Sequence, residues 1–442
     1  MLTLGSGAQH RNTRGSVVAY NGCTYYAGLA PTGAITVWKY DGTNLTSKVV
    51  HTNATPDLHG CPSIEVVRGG TYEGYLVIGF SEHSSPMAVY RTDAAEDITA
   101  WTAIGSSWNA TATYINLITI GAVVLAYYRA NGPGGDTKHR SLYVRKSTDG
   151  GQTWGAEALL CYPDDADVTT FAYPYLKESN AVGNVIAFAY VWVDNYYSLG
   201  GRNRGIYYFY TDDAGATYKD IAGNTLTLPV GNSTASRIYT HADTINSWVT
   251  DIALGYDGKP TILYQTMADG AAQVLEYHHM RYDGSAWTTT DVCSDSYAAS
   301  VSTTPYITAF SGSLRHRSPN THVCVPRNNG DGTWSLKVYA LDGSTWDENL
   351  TIRTATIADV DNEYLDAFWG EDGIGGMVVG EMYDFDWDGG WDDWDGDLFA
   401  YSWSPFDFDI YLGAPWDFDI YLGAAGSRRR FALLDPFAPT RL

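Results

Sequence analysis

The sequence predicts an all-β chain, a single seven-bladed β-propeller with a short C-terminal extension. Three observations point there. The composition is that of strands and tight turns: 442 residues include 34 Tyr, 15 Trp and 46 Gly, and no long helical period is present. A strand running into an Asp turn recurs. It reads Val37-Trp-Lys-Tyr-Asp41, Val89-Tyr-Arg-Thr-Asp93 and Val144-Arg-Lys-Ser-Thr-Asp149, then Tyr208-Phe-Tyr-Thr-Asp212-Asp213, His279-Met-Arg-Tyr-Asp283 and Val338-Tyr-Ala-Leu-Asp342. The intervals of 52, 56, 64, 70 and 59 residues fit four short strands per unit, a propeller signature.

Taken in order, the units carry the following features. A hairpin is expected over 63–81, bracketed by His59-Gly-Cys-Pro and His83-Ser-Ser-Pro. The start of one antiparallel strand lies beside the end of its partner, so the two imidazoles belong to one sheet edge. The next hairpin repeats the arrangement, with Tyr114 before its first strand and Arg129 after its second. The third Asp turn, Ser147-Thr-Asp149-Gly-Gly151-Gln-Thr153-Trp154, matches the Asp-box pattern S-x-D-x-G-x-T-W, and Thr211 to Tyr218 is a relaxed copy. Its Asp suits turn amides and its Gly a tight backbone, so these turns read as structural, at the end opposite the histidines. A weaker last unit has candidate strands at 364–369, 376–382 and 398–403.

The propeller is expected over 12–405. Residues 406–442 form the extension, in which Pro405-Phe-Asp-Phe-Asp-Ile-Tyr-Leu-Gly-Ala is followed by Pro415-Trp-Asp-Phe-Asp-Ile-Tyr-Leu-Gly-Ala and then by Arg428-Arg-Arg430. One copy can close the last blade and the other can dock on another protein, or the repeat is a duplication without function.

The formal charge of −23 argues against a nucleic-acid binder and requires any anionic ligand to be held by a local basic pocket. No apolar run reaches membrane-spanning length. The five cysteines lack metal-ligand spacing and read as small packing residues. Met1-Leu-Thr-Leu-Gly-Ser-Gly lacks the basic and apolar regions of a secretory signal. The expectation is action outside the cell, after trimming or as part of a virion.

Two histidines, a tyrosine and an arginine on one rim suit acid–base chemistry with a clamp for a carboxylate. The loops 130–140 and 193–204 leave the same face, and Trp192, Tyr196, Tyr197 and Arg204 are candidates to bind a sugar chain there. The motif order over roughly 12–235 resembles the BNR-repeat family that contains the ulvan lyases of polysaccharide lyase families 24 and 25. The matching pieces are Asp57-Leu-His59-Gly-Cys-Pro-Ser-Ile64, Phe80-Ser-Glu-His83-Ser-Ser-Pro-Met87, Thr113-Tyr114, Tyr127-Tyr-Arg129, the Asp-box pattern and Ala189-Tyr-Val-Trp192. The resemblance implies a seven-bladed propeller that cleaves an acidic polysaccharide by β-elimination. It carries the catalytic roles onto His59, His83, Tyr114 and Arg129. The family usually has Asn after the first His, where this chain has Gly60.

Two other readings stand beside the lyase. One is a glycan-binding or depolymerase component of a phage tail or spike. The other is a sialidase-like glycosidase, for which Arg14, Arg281 and Arg315 would have to converge.

The elimination requires no cofactor. One acidic loop, however, has the order of a calcium site: Asp384, Asp386, Asp388, Gly389, Asp392 and Asp395 fall at positions one, three, five, six, nine and twelve. The alternative is a solvated acidic surface loop. A structural Ca2+ would raise the melting temperature in calcium over that in chelator. Coincident melting curves, with Asp386→Asn and Asp388→Asn changing neither stability nor activity, would leave only the acidic surface.

Overall fold

Alternating β-branched and aromatic residues set the strands, and many of these strands are buried on both faces. In Cys23–Leu29, Tyr25, Ala27 and Leu29 enter one apolar cluster while Tyr26 enters another. Such a strand belongs to a sheet stacked between two others. The computed structural model describes residues 2–6, 16–54, 58–82, 85–162, 172–194, 202–240, 245–255, 257–268, 274–296, 312–317, 320–329, 333–356, 364–369, 377–385, 394–401, 418–421 and 428–431. Apart from the 3₁₀ turns Leu58–Gly60 and Pro133–Gly135, the regular elements among them are strands.

The sheets follow one another along the chain. Val17–Tyr20, Cys23–Leu29, Ala34–Tyr40 and Leu45–Thr52 form the first. Ser63–Val66, Leu76–Phe80 and Ser85–Ala94 begin the second, and the first part of the 24-residue strand Asp97–Ile120 completes it. The rest of that strand opens the third, with Val123–Gly132, Asp136–Ser147 and Ala158–Cys161. Ala172–Glu178, Ile186–Asp194 and Arg202–Thr211 follow, edged by short pieces. Two further four-stranded sheets run from Ile245–Leu254 to Trp287–Ser296 and from Ser313–Arg317 to Thr345–Thr356. First strands of neighbouring sheets pack on one another: Val17–Tyr20 on Ser63–Val66, Ala172–Glu178 on Ile245–Leu254, then Ser313–Arg317 and Tyr364–Trp369.

The last sheet departs from expectation. Tyr364–Trp369, Met377–Phe385 and Trp394–Tyr401 are joined on the outer edge by the N-terminal strand Leu2–Ser6, with Leu2 opposite Ala400 and Ser6 opposite Asp397. A domain starting at residue 12 leaves this strand out. The edge that one copy of the decapeptide could have closed is taken by Leu2–Ser6. The physical reason is burial: Leu4 joins Val17, Tyr26 and Trp38 in one cluster, so the last sheet and the first share a core. The chain divides into two compact units, Met1–Ser402 and Trp403–Leu442. In the second, Phe418–Tyr421 from the second decapeptide pairs with Arg428–Phe431. The first decapeptide lies outside the described residues.

Every Asp of the sequence repeat falls between the third and fourth strands of its sheet, or at the end of the third. At Asp149 the Ser147 hydroxyl donates to Oδ1 (2.8 Å), and the Thr153 amide and hydroxyl donate to the carboxylate (2.8 and 2.6 Å). Gly150 and Gly151 take φ of +69° and +83° there, which favours glycine. Thr211, Asp213 and Thr217 repeat this set of bonds. Burial alone would raise the Asp213 carboxyl, but the Thr217 hydroxyl and amide and the Thr211 hydroxyl outweigh it and hold the pKa at about 2, against an ordinary 3.8. A depressed carboxyl stabilises the fold above its unfolded pKa and loses that contribution as pH falls through the folded one. The gap between wild-type and Asp213→Asn unfolding midpoints should therefore be full above about pH 4 and shrink as pH falls toward 2. A gap independent of pH would show that the turn does not use the charge.

Candidate active site

The site begins where one strand changes sheets. Asp97–Ile120 pairs with Ser85–Ala94 as far as Ala112, opposite Ser85, and with Val123–Gly132 from Thr113, opposite Arg129. Just past this change of partner Tyr114 takes φ +54°, a region that disfavours bulky residues and costs of order 1–3 kcal/mol. The ladder slips there, since Arg129 faces Thr113 while Tyr127 faces Asn116. This bulge re-aims the side chain. Tyr114 was expected before the strand; it lies inside it, because the strand is shared by two sheets.

His59 arrives from the 3₁₀ turn Leu58–Gly60, just before Ser63–Val66. Gly60 is required by close approach. A Cβ at this position would lie 1.9 Å from the carbonyl oxygen of Ser81, at the end of the neighbouring Leu76–Phe80. The departure from Asn at this position thus has a steric basis in the local backbone.

These elements bring three of the expected residues together. The His59 and Tyr114 ring centroids are 5.1 Å apart. The Arg129 guanidinium lies 4.5 Å from the Tyr114 ring and 4.9 Å from that of Tyr175. Its Nε donates to Thr113 Oγ1 (3.3 Å). Cation–π contacts of this kind contribute about 0.5–2 kcal/mol each and hold the planar group in place. His59, Tyr114, Arg129 and Tyr175 are 6, 7, 6 and 9 % exposed. Tyr114, Asn116, Tyr127, Arg129, Pro174 and Tyr175 line a small pocket. Burial, and then the neighbouring Tyr218, push the Tyr127 hydroxyl well above the usual tyrosine range. Tyr127 therefore stays protonated and is unsuited to act as a base. An imidazole and a phenol side by side can divide proton removal and proton delivery. A fixed guanidinium can hold a carboxylate through paired bonds.

Of the remaining expected residues, Trp192 is corrected. It is 1 % exposed and packs edge-on to Tyr190 at 5.8 Å in a cluster with Tyr207 and Leu142. Strand alternation sends it into the core and away from a groove wall. His83, Tyr196 and Tyr197 lie outside the described residues, as do Asp386, Asp388 and Asp392. Arg204 falls in Arg202–Thr211, and Asp384 and Asp395 are ladder partners across Met377–Phe385 and Trp394–Tyr401. Arg281, a candidate for the sialidase reading, pairs with Asp257 (3.1 Å) in a different sheet from Arg129.

Sequence reasoning missed Tyr175, Thr113 and Trp248, whose ring is 5.0 Å from Tyr175. Tyr175 and Trp248 come from the first strands of the two following sheets, and only the packing of sheets brings them here. Thr113 adjoins Tyr114 in the sequence but carries no signal of its own.

A family model described as "BNR repeat-containing family member" matches residues 23–294. No curated protein matches the sequence. Among solved structures, a PL25 ulvan lyase bound to -[GlcA(1-4)Rha3S]- superposes with a TM-score of 0.72 at 15 % identity, covering 94 % of this chain and 100 % of that one. The polysaccharide lyase Uly1 gives 0.60 at 12 % identity, covering 88 and 90 %. At these identities the likeness is one of fold.

The crowding at Gly60 is directly testable. Gly60→Ala sets a methyl against fixed backbone, and overpacking of that kind costs about 1–3 kcal/mol. A lowered thermal midpoint with the His59 turn displaced is the expected result. An unchanged midpoint would show that the turn shifts freely.

Proposed function

The chain belongs to the BNR repeat-containing family, and from that premise we propose that it is a polysaccharide lyase cleaving a uronic-acid polymer by β-elimination beside Tyr114. The observation that carries the reading is the contact of both His59 and Arg129 with the Tyr114 ring. Arg129 binds the uronate carboxylate and neutralises the charge that develops as the C5 proton leaves. His59 or Tyr114 takes that proton. The C5–H electron pair becomes the C4–C5 double bond, the C4–O bond breaks, and the other group protonates the departing oxygen. His83 is assigned to orienting the sugar or His59. The glucuronate and rhamnose 3-sulfate repeat held by the similar lyase is the first polymer to try. On this reading the protein acts outside the cell, on an acidic polysaccharide.

The same proposal includes a closed ring of seven four-stranded blades. Its support is the core that Leu4 shares with Val17, Tyr26 and Trp38, which joins the last sheet to the first.

His59→Ala and Tyr114→Phe should each lower the rate at which unsaturated, ultraviolet-absorbing product forms by at least about 10²-fold, without unfolding. Arg129→Lys should fail as well, because a point charge does not replace the planar fork. Undiminished turnover in all three variants would remove these residues from the mechanism.

A further inference from the structure

A second arginine stands on the same face as Arg129. Between Val123–Gly132 and Asp136–Ser147, Arg129 faces Leu142 and Asn131 faces Arg140, with no shift between these pairs. Side chains alternate along a strand and directly opposed residues share a face. Arg129, Asn131, Leu142 and Arg140 therefore lie on one face, and Arg129 and Leu142 line the pocket. Diagonal partners in such a ladder are roughly 7–8 Å apart.

The two arginines are anchored in parallel. Arg129 Nε donates to Thr113 Oγ1 at 3.3 Å, and Arg140 Nη1 donates to the Thr111 carbonyl at 3.4 Å, two residues along the same strand. Thr111 is itself fixed: its hydroxyl donates to Asn109 Oδ1 (3.0 Å) and accepts the Asn131 amide (3.0 Å). The turn leading to Arg140 is held from within. Gly134 and Gly135 take φ of +76° and +82°, and Asp136 accepts the Lys138 amide (2.9 Å) and pairs with His139 Nδ1 (2.6 Å).

A guanidinium offers planar, paired donors that suit a carboxylate or a sulfate. Their pairing also stands out in a chain of charge −23. We propose that Arg140 forms a second anion subsite beside Arg129 and holds an anionic substituent on the sugar adjoining the uronate, either a sulfate ester or a second carboxylate. This rests on the lyase reading for what Arg129 binds.

The test uses the full chain, wild type and Arg140→Gln, with Arg140→Lys as a charge-keeping variant. The probes are the glucuronate–rhamnose 3-sulfate polymer, the same polymer after desulfation, and an unsulfated polyglucuronate. Product absorbance gives kcat and KM, and calorimetry gives binding without turnover. Arg140→Gln should raise KM on the sulfated polymer about tenfold or more, the loss expected for a charged hydrogen bond, and most of the loss should fall in KM rather than kcat. Arg140→Lys should recover part of it. If the penalty disappears on desulfation, the group is a sulfate; if it appears only on the polyglucuronate, it is a second carboxylate. An unchanged KM on all three polymers overturns the subsite, and so does an equal penalty on all three. Selective loss of binding in Arg140→Gln with no turnover by the wild type keeps the subsite and removes the lyase. No binding to any of the three overturns both.

Discussion

The left-handed turn of backbone at Tyr114 is the constraint on which the rest of the site depends. A single strand serves two sheets, and it must change partners between Ala112 and Thr113. The slip in register that follows this change places Tyr114 in contact with both His59 and Arg129. A regular ladder would have sent the side chain to one face or the other by alternation. The backbone cost at a bulky residue is offset by what surrounds it. Tyr114 belongs to an apolar cluster with Tyr175 and Trp248, and its ring carries the guanidinium.

The two ends of this sheet do different work for a reason built into antiparallel pairing. Ser147 faces Val124 at one end, while Arg129 and Thr113 face each other near the other. The Asp149 turn satisfies its carboxylate within itself, which stabilises the connection and leaves no chemistry there. Arg91 adds to that end, reaching from the preceding sheet to the Gly150 carbonyl and Gln152 and stacking 3.7 Å from Tyr72. The opposite end holds nearly buried polar groups around a small pocket. A rigid end and a chemical end are thus two consequences of the same strand direction.

Charge follows the same division. A chain of −23 attracts an anionic polymer only where cations are concentrated, and a site buried in aromatic rings strengthens each charge locally. The Arg129 guanidinium lies against the rings of Tyr114 and Tyr175, which hold its planar group in place.

Much of this was legible in the residues. The spacing of Asp41, Asp93, Asp149, Asp213, Asp283 and Asp342 marks the third strand of each of the first six sheets, because Asp and Gly turn chemistry is local. The hairpin after His59 and the shared edge of Tyr114 and Arg129 follow from the period of two and from antiparallel direction. Other features depended on contacts distant along the chain. Leu2–Ser6 takes its edge from residues almost four hundred positions away, and no local pattern records such a partner. Trp192 had the look of a sugar platform, yet it shares a strand face with Tyr190, and that face lies in the core. Tyr175 and Trp248 reach the site only because first strands of successive sheets pack together. The sequence by itself determined the strands, the turns and the residue types available for chemistry, since these depend on neighbours within a few positions. Which of them meet was decided by the tertiary structure, because sheet stacking and the bulge at Tyr114 bring together residues that spacing along the chain does not relate.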